Sequence, residues 1–201
     1  MTVDVVLRGY ADDAEGQIAR MEGLDPAVLL APVMAVLPAR PGRMLDVGAG
    51  TGYIAGWFAD RGHRATAVEP VAAFRNAGSR IRGDRVRWIN DRLPEMQAVR
   101  ALAEQFDLIV LSAVWHHLDA AARPVAMAGL AVRVAAGGRI ILSLRHGQGT
   151  DTRPGFPVSA TETIRLAERH GLGVRLAVEA ESIQPLNRAR GVSWTWLALD
   201  R

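Results

Sequence analysis

From residue 43 to residue 144 the apolar positions come in short unbroken runs rather than alternating with polar ones. Met44–Val47, Arg64–Glu69, Arg85–Ile89, Phe106–Leu111 and Arg139–Leu144 each read as a strand covered on both faces. Between them the pattern predicts helices over Tyr53–Asp60, Val71–Arg80, Pro94–Glu104 and about Ala120–Val134. Gly62 and the Gly137-Gly138 pair supply turns. Residues 1–40 read as a helical lead-in, with Asp25-Pro26 opening a helix and Pro38 and Pro41-Gly42 stopping it. Past His146 the stretch GQGTDTRPGFP is too polar and turn-rich to be an element. Ser159 with Glu162 forms a capping-box start for a helix that Gly171 ends. Gly173–Glu181 and Val192–Leu199, joined by QPLNRARG, predict a terminal antiparallel pair. The alternation implies one three-layer α/β domain over residues 1–201, without internal repeat or linker.

Composition narrows the function classes only slightly. With 49% hydrophobic and 22% charged residues, the chain reads as a globular domain. It contains no cysteine, which removes disulfides, thiolate metal sites and cysteine nucleophiles and favours the cytoplasm without requiring it. The first sixteen residues lack the basic start and apolar core of a signal peptide, and no long apolar run predicts a membrane span. All 24 basic residues are arginine, but 21 acids offset them and the arginines are scattered. Few aromatics accompany them, so nucleic acid is not an expected partner; a monomer or homodimer is.

The chemistry concentrates in RMLDVGAGTG, residues 43–52, and in Glu69 at the end of the next strand. Gly48, Gly50 and Gly52 permit positive φ and let a ligand approach the main chain, while the following helix start offers free amides. A carboxylate at the second strand end is placed to accept both hydroxyls of a ribose. The chain here resembles the class I S-adenosylmethionine-dependent methyltransferases, on LDVGAGTG and on the strand-two acid, from about residue 27 to residue 199. The resemblance implies a Rossmann-like methyltransferase fold with a seven-stranded, mostly parallel sheet whose last strand is antiparallel, and S-adenosyl-L-methionine as cofactor. It also implies cofactor contacts from Asp46, Gly48, Ala49, Gly50 and Gly52, ribose binding by Glu69 with Pro70 beside it, and adenine binding by Asp91. Asn90 is the adjacent alternative for the base, and Arg92 flanks it. A dinucleotide fold shares this plan, but Asp46 suits the ammonium of a methionine and would oppose a pyrophosphate.

Strand-exit residues of a parallel sheet face the ligand crevice, so Trp115, His116 and His117 after the fourth strand and Arg145 and His146 after the fifth are the candidates for acceptor chemistry. His116, His117 and His146 are candidate general bases near neutral pH, although WHHLD also suits packing against the next helix. Arg145 is a candidate for a substrate carboxylate or phosphate, Trp115 for a pocket wall, and Tyr10 for a lid carried by the N-terminal segment. No metal is expected, since the adjacent histidines diverge and no HExxH occurs. Trp194 and Trp196 at period two read as one buried face of an edge strand. The expected reaction is methyl transfer to an oxygen or nitrogen of a small molecule. A non-catalytic binding module and an RNA or protein methyltransferase stand as alternatives. The acceptor pocket is expected from the N-terminal segment, the Trp115–Asp119 turn and the 147–158 loop.

Overall fold

In the computed structural model, which describes residues 3–201, the apolar runs become β1 (Arg43–Val47), β2 (Arg64–Val68), β3 (Val86–Ile89), β4 (Phe106–Leu111), β5 (Val134–His146), β6 (Gly173–Glu181) and β7 (Ser193–Asp200). They form one sheet in the order β3-β2-β1-β4-β5-β7-β6. The first five are parallel, and β7 runs antiparallel to both β5 and β6. The seven-stranded sheet with a reversed last strand is therefore the one expected. The edge strand, however, is β6 rather than β7, so Trp194 and Trp196 lie on an interior strand.

The helices are α1 (Val3–Asp12), α2 (Ala14–Glu22), α3 (Pro26–Leu29), α4 (Tyr53–Ala59), α5 (Ala72–Arg82), α6 (Gln97–Ala101), α7 (Ala122–Arg133), α8 (Ala160–Glu168) and α9 (Pro185–Ala189). Two apolar cores fill the space above and below the sheet. One holds Leu45, Ile109, Leu142, Met127 and Leu130 under α7 and α8; the other holds Met44, Leu108, Ile141, Ile54 and Phe58 under α4. Consecutive strand residues thus feed opposite layers, which is why β1 and β4 read as unbroken apolar runs.

Three departures from expectation have local causes. The helix expected over Pro94–Glu104 shrinks to five residues, because Met96 sits in the left-handed region at φ 45° and the helix can start only after it. The Gly137-Gly138 turn is absorbed into β5, whose pairing with β4 skips from Phe106↔Val134 to Leu108↔Arg139; Gly137 takes φ 73° at this irregularity. QPLNRARG contains the short helix α9, opened by Pro185 at its first turn. Asp25 and Ser159 cap as expected, accepting from the amides of Ala27 at 2.8 Å and Glu162 at 3.3 Å.

Strand order reverses between β1 and β4, so their carboxyl ends diverge into a crevice. The lead-in helices cover it. Glu22 at the end of α2 pairs with Arg82 on α5 at 2.6 Å and accepts from the Thr51 hydroxyl at 2.5 Å. Asp4 on α1 pairs with Arg92 at 2.5 Å, and Asp13 reaches Arg153 at 3.3 Å. Gly9 lets α1 touch the 147–158 loop, since a Cβ there would lie 1.8 Å from the Thr152 carbonyl oxygen.

Candidate active site

A cavity of about 230 Å³ opens at this switch point beneath α1 and α2. Gly48, Ala49, Gly50, Glu69, Pro70, Asp91, Arg92, Tyr10 and His117 all line it, bringing together nine of the residues singled out in the sequence. Val47 and Gly48 leave β1 into a turn in which Gly50 adopts φ 57°. A Cβ on Gly50 would meet the Met21 sulfur at 2.2 Å, so the glycine backbone is a close-approach surface.

Glu69 is buried at the cavity wall. One carboxylate oxygen accepts from the Gly50 amide and the other from the Val71 amide, both at 2.8 Å, so the acid ties the glycine turn to the end of β2. Burial pushes its carboxyl up to about 7, against the lowering effect of those amides. A carboxylate has about four acceptor positions, and the two amides leave room for two hydroxyl donors from the cavity. Asp91 is anchored likewise, accepting from the amides of Arg92 at 2.8 Å and Val99 at 2.9 Å.

On the opposite wall, His117 Nδ1 lies 3.0 Å from the Pro154 carbonyl oxygen and Nε2 lies 3.1 Å from the Tyr10 hydroxyl. A carbonyl only accepts, so Nδ1 carries the proton, Nε2 is the acceptor, and Tyr10 donates to it. Burial lowers the His117 imidazole to about 4, so the ring is neutral at pH 7, and burial raises the Tyr10 phenol. The 147–158 loop supports the cavity from behind: the Phe156 amide donates to the His116 carbonyl at 2.7 Å and Arg153 lies over the Tyr10 ring, but among the described residues the loop lines no part of the cavity. The expected loop rim is replaced by Gln17, Met21 and Leu24 around α2 and by Gln184 before α9.

Seven sequence candidates lie outside the cavity. Asp46 is buried at the base of the turn, accepting from the Ala55 amide at 3.2 Å, so it anchors the first turn of α4; burial pushes its carboxyl up to about 7. Gly52, at φ 67°, is the N-terminal flank of α4 and packs beside Trp88. Asn90 is exposed. Trp115 is fully buried in the core rather than in a pocket wall, because the three-residue 3-10 turn at Trp115–His117 directs it inward. His116 lies against His117, with ring centres 4.0 Å apart and the planes tilted by 43°, and its imidazole is held neutral by burial. Arg145 is held by the carbonyls of Gly147 and Gln148, and His146 by the Thr195 hydroxyl at 2.7 Å. Both stand at the end of β5, paired with β7, and neither lines the cavity, although the Arg145 charge acts on Tyr10 and His117.

Sequence reasoning missed Met21, Leu24, Ser112, Ala113 and Gln184. Ala113 at φ 59° is a signal visible only in the backbone. Among the described residues, no group of three histidines or acids is disposed to hold a metal.

A family model described as a methyltransferase domain matches residues 21–194. The chain belongs to the methyltransferase family. The match bears out the resemblance carried by LDVGAGTG and Glu69. The fold is also that of solved methyltransferases. 1,6-Didemethyltoxoflavin-N1-methyltransferase from Burkholderia thailandensis superposes with TM-score 0.77 at 20% identity, over 98% of this chain and 88% of that one. Magnesium protoporphyrin IX methyltransferase from Synechocystis PCC 6803 gives TM-score 0.75 at 13% identity, over 98% and 99%. A TehB-like S-adenosylmethionine-dependent methyltransferase from Corynebacterium glutamicum gives 0.65 at 21%, over 94% and 97%. The first two are crystallised with S-adenosylhomocysteine bound. No curated protein matches the sequence. No helix among the described residues is long and apolar enough to cross a membrane.

Proposed function

We propose that this methyltransferase transfers the methyl group of S-adenosylmethionine to an oxygen or nitrogen of a small molecule, with the cofactor held in the switch-point cavity. The observation that carries the reading is Glu69: a buried carboxylate at a strand end, facing a glycine turn across a cavity, with acceptor positions left for two hydroxyls. The fit is chemical. Glu69 suits the ribose diol, Asp91 and the Arg92–Leu93 backbone an adenine edge, Pro70 and Val71 its apolar face, and Gly48–Gly50 the methionine portion. S-Adenosylmethionine, when bound, supplies a methyl group already activated on a cationic sulfur.

Because the leaving group is activated, the chain's own residues mainly position the acceptor and exclude water. Met21, Leu24 and Phe74 make the roof apolar, and the ion pairs of α1 and α2 hold it closed. His117 is the residue suited to take the acceptor's proton. An O–H or N–H proton passes to the Tyr10 oxygen as the Tyr10 proton passes to Nε2, leaving an imidazolium whose Nδ1–H is held by the Pro154 carbonyl. A group lowered to about 4 is a weak base that is always unprotonated at pH 7. It suits an acceptor whose proton turns strongly acidic as the new bond to carbon forms. His116 and His146 are not placed for this role.

The reading is tested by incubating the protein with S-adenosylmethionine carrying a deuterated methyl group and a panel of hydroxylated and nitrogenous metabolites, following S-adenosylhomocysteine release. His117→Ala is expected to lower turnover at saturating cofactor by about 100-fold or more while leaving cofactor affinity unchanged. Unchanged turnover removes His117 from catalysis, and failure of the parent to bind either form of the cofactor by calorimetry overturns the reading.

A further inference from the structure

A second, smaller hollow of about 60 Å³ adjoins the cavity on the side of β5 and β7. Leu24, Tyr53, Ser112, Ala113 and Gln184 line both spaces, so the two are joined at the end of β4. We propose that this second hollow is the methyl-acceptor pocket and that its acceptor is an uncharged, flat molecule of about one ring. The inference rests on the cofactor lying in the larger cavity.

Shape comes first. Trp194 and Trp196, two apart on β7, present indoles to the hollow, while Leu29 and Pro32 from the lead-in form its outer side. Trp196 and Ser143 are paired across β5 and β7 and so share one sheet face. The result is a narrow slot between an aromatic strand face and a proline-stiffened segment, which favours a flat guest over a bulky one.

Charge decides the class. Among the described residues, no arginine or histidine lines the hollow, and the one carboxylate there, Glu181, is exposed. Arg145, the residue suited by sequence to a carboxylate, is already committed to the carbonyls of Gly147 and Gln148. An anionic acceptor would therefore be desolvated without a counter-ion. The polar groups present are neutral. Tyr53 keeps its proton, since burial and the nearby Asp46 raise its phenol. The Ser143 oxygen accepts from the Ala113 amide at 2.8 Å, leaving its own hydroxyl proton to donate. Gln184 uses its side-chain oxygen on Asn187 at 3.2 Å, which leaves its NH2 for a guest.

The junction has backbone strain of the kind found where geometry is imposed. Ala113 stands at φ 59°, a conformation a residue with a Cβ rarely adopts. The Ser143 hydrogen bond holds it there, at the point where the slot meets the cavity.

Calorimetry tests the proposal in two steps. S-Adenosylhomocysteine is titrated first; the loaded protein is then titrated with phenol, aniline and benzoate as probes. Phenol or aniline is expected to bind, with benzoate weaker by more than about tenfold, the consequence of an unpaired buried charge. Ala180→Phe, which fills the hollow from β6 without touching the larger cavity, is expected to abolish probe binding and to leave S-adenosylhomocysteine affinity within about twofold. Gln184→Leu, which removes the free amide, is expected to weaken phenol binding without filling the slot, should the larger substitution disturb folding. Benzoate binding as tightly as phenol, no binding of any probe, or probe binding untouched by both variants overturns the proposal alone. Absence of S-adenosylhomocysteine binding overturns the cofactor reading and the pocket with it.

Discussion

The two halves of the crevice are built in different ways. On the β1–β2–β3 side the contacts that build the cavity wall beneath the roof are short in sequence: Gly50 to Glu69, Glu69 to Val71 and Asp91 to Arg92 and Val99 lie 19 residues apart or fewer. On the β4–β5–β7 side the contacts span the chain, since Tyr10 meets His117, His117 meets Pro154, and Ser143 holds Ala113. The first half uses the local geometry of strand, turn and helix, which any sequence with glycines and an acid at those offsets would reproduce. The second depends on where distant segments happen to dock, so it is free to vary in shape and chemistry. A methyltransferase needs this division, with one invariant ligand on one side and a particular acceptor on the other.

The largest effect expected separates two acids that look equivalent in the sequence. Glu69→Ala removes a cavity-facing acceptor of charged hydrogen bonds, so S-adenosylhomocysteine affinity should fall by about 10- to 150-fold, equivalent to about 1.5–3 kcal/mol. Asp46→Ala leaves the buried Ala55 amide without its acceptor, so unfolding free energy in urea should drop by about 1–3 kcal/mol while cofactor affinity changes by less than about threefold. Equal losses of affinity in both variants would break the distinction between an acid that lines the site and one that anchors its turn.

A second test uses the upward push that burial gives the Glu69 carboxyl. Its carboxyl is raised from 4.5 to about 7, so the folded state holds more protons than the unfolded state between those values. Stability of the ligand-free protein should therefore fall as pH rises from about 4.5 to 7 and level off above, with Glu69 contributing on the order of 3 kcal/mol. Asp46 adds a slope of the same sign. Urea denaturation at pH 5 and pH 7.5 should show the drop in the parent and a smaller one in Glu69→Gln; an unchanged drop in that variant would assign the proton elsewhere.

The smallest effect concerns the roof. Glu22→Gln weakens its pair with Arg82 and should cost under about 1 kcal/mol of global stability, as partly exposed pairs do. Hydrogen exchange should nonetheless quicken along α2 while β1 stays protected, because α2 has no fully buried residue to hold it. Exchange that quickens equally in β1 would mean that the roof and the sheet open as one unit.

Strand identity, the parallel sheet, the reversed last strand and the place of Glu69 at the crevice were all legible in the sequence. Each follows from a pattern confined to one run of residues: unbroken apolar stretches, glycines at fixed offsets, a capping serine. Even there, only the folded chain distinguished Asp46 from Glu69. Alternation along β1 sends Asp46 under α4, whereas Glu69 stands past the end of β2 at the open edge. Tertiary structure alone decided that His117 rather than His116 or His146 faces the cavity, that Trp115 belongs to the core, and that Trp194 and Trp196 wall a hollow. Which of two adjacent side chains turns inward depends on a three-residue 3-10 turn and on a loop docking from 37 residues away. Neither leaves a periodic trace in the chain, because the free energy that settles it comes from contacts between segments rather than within them.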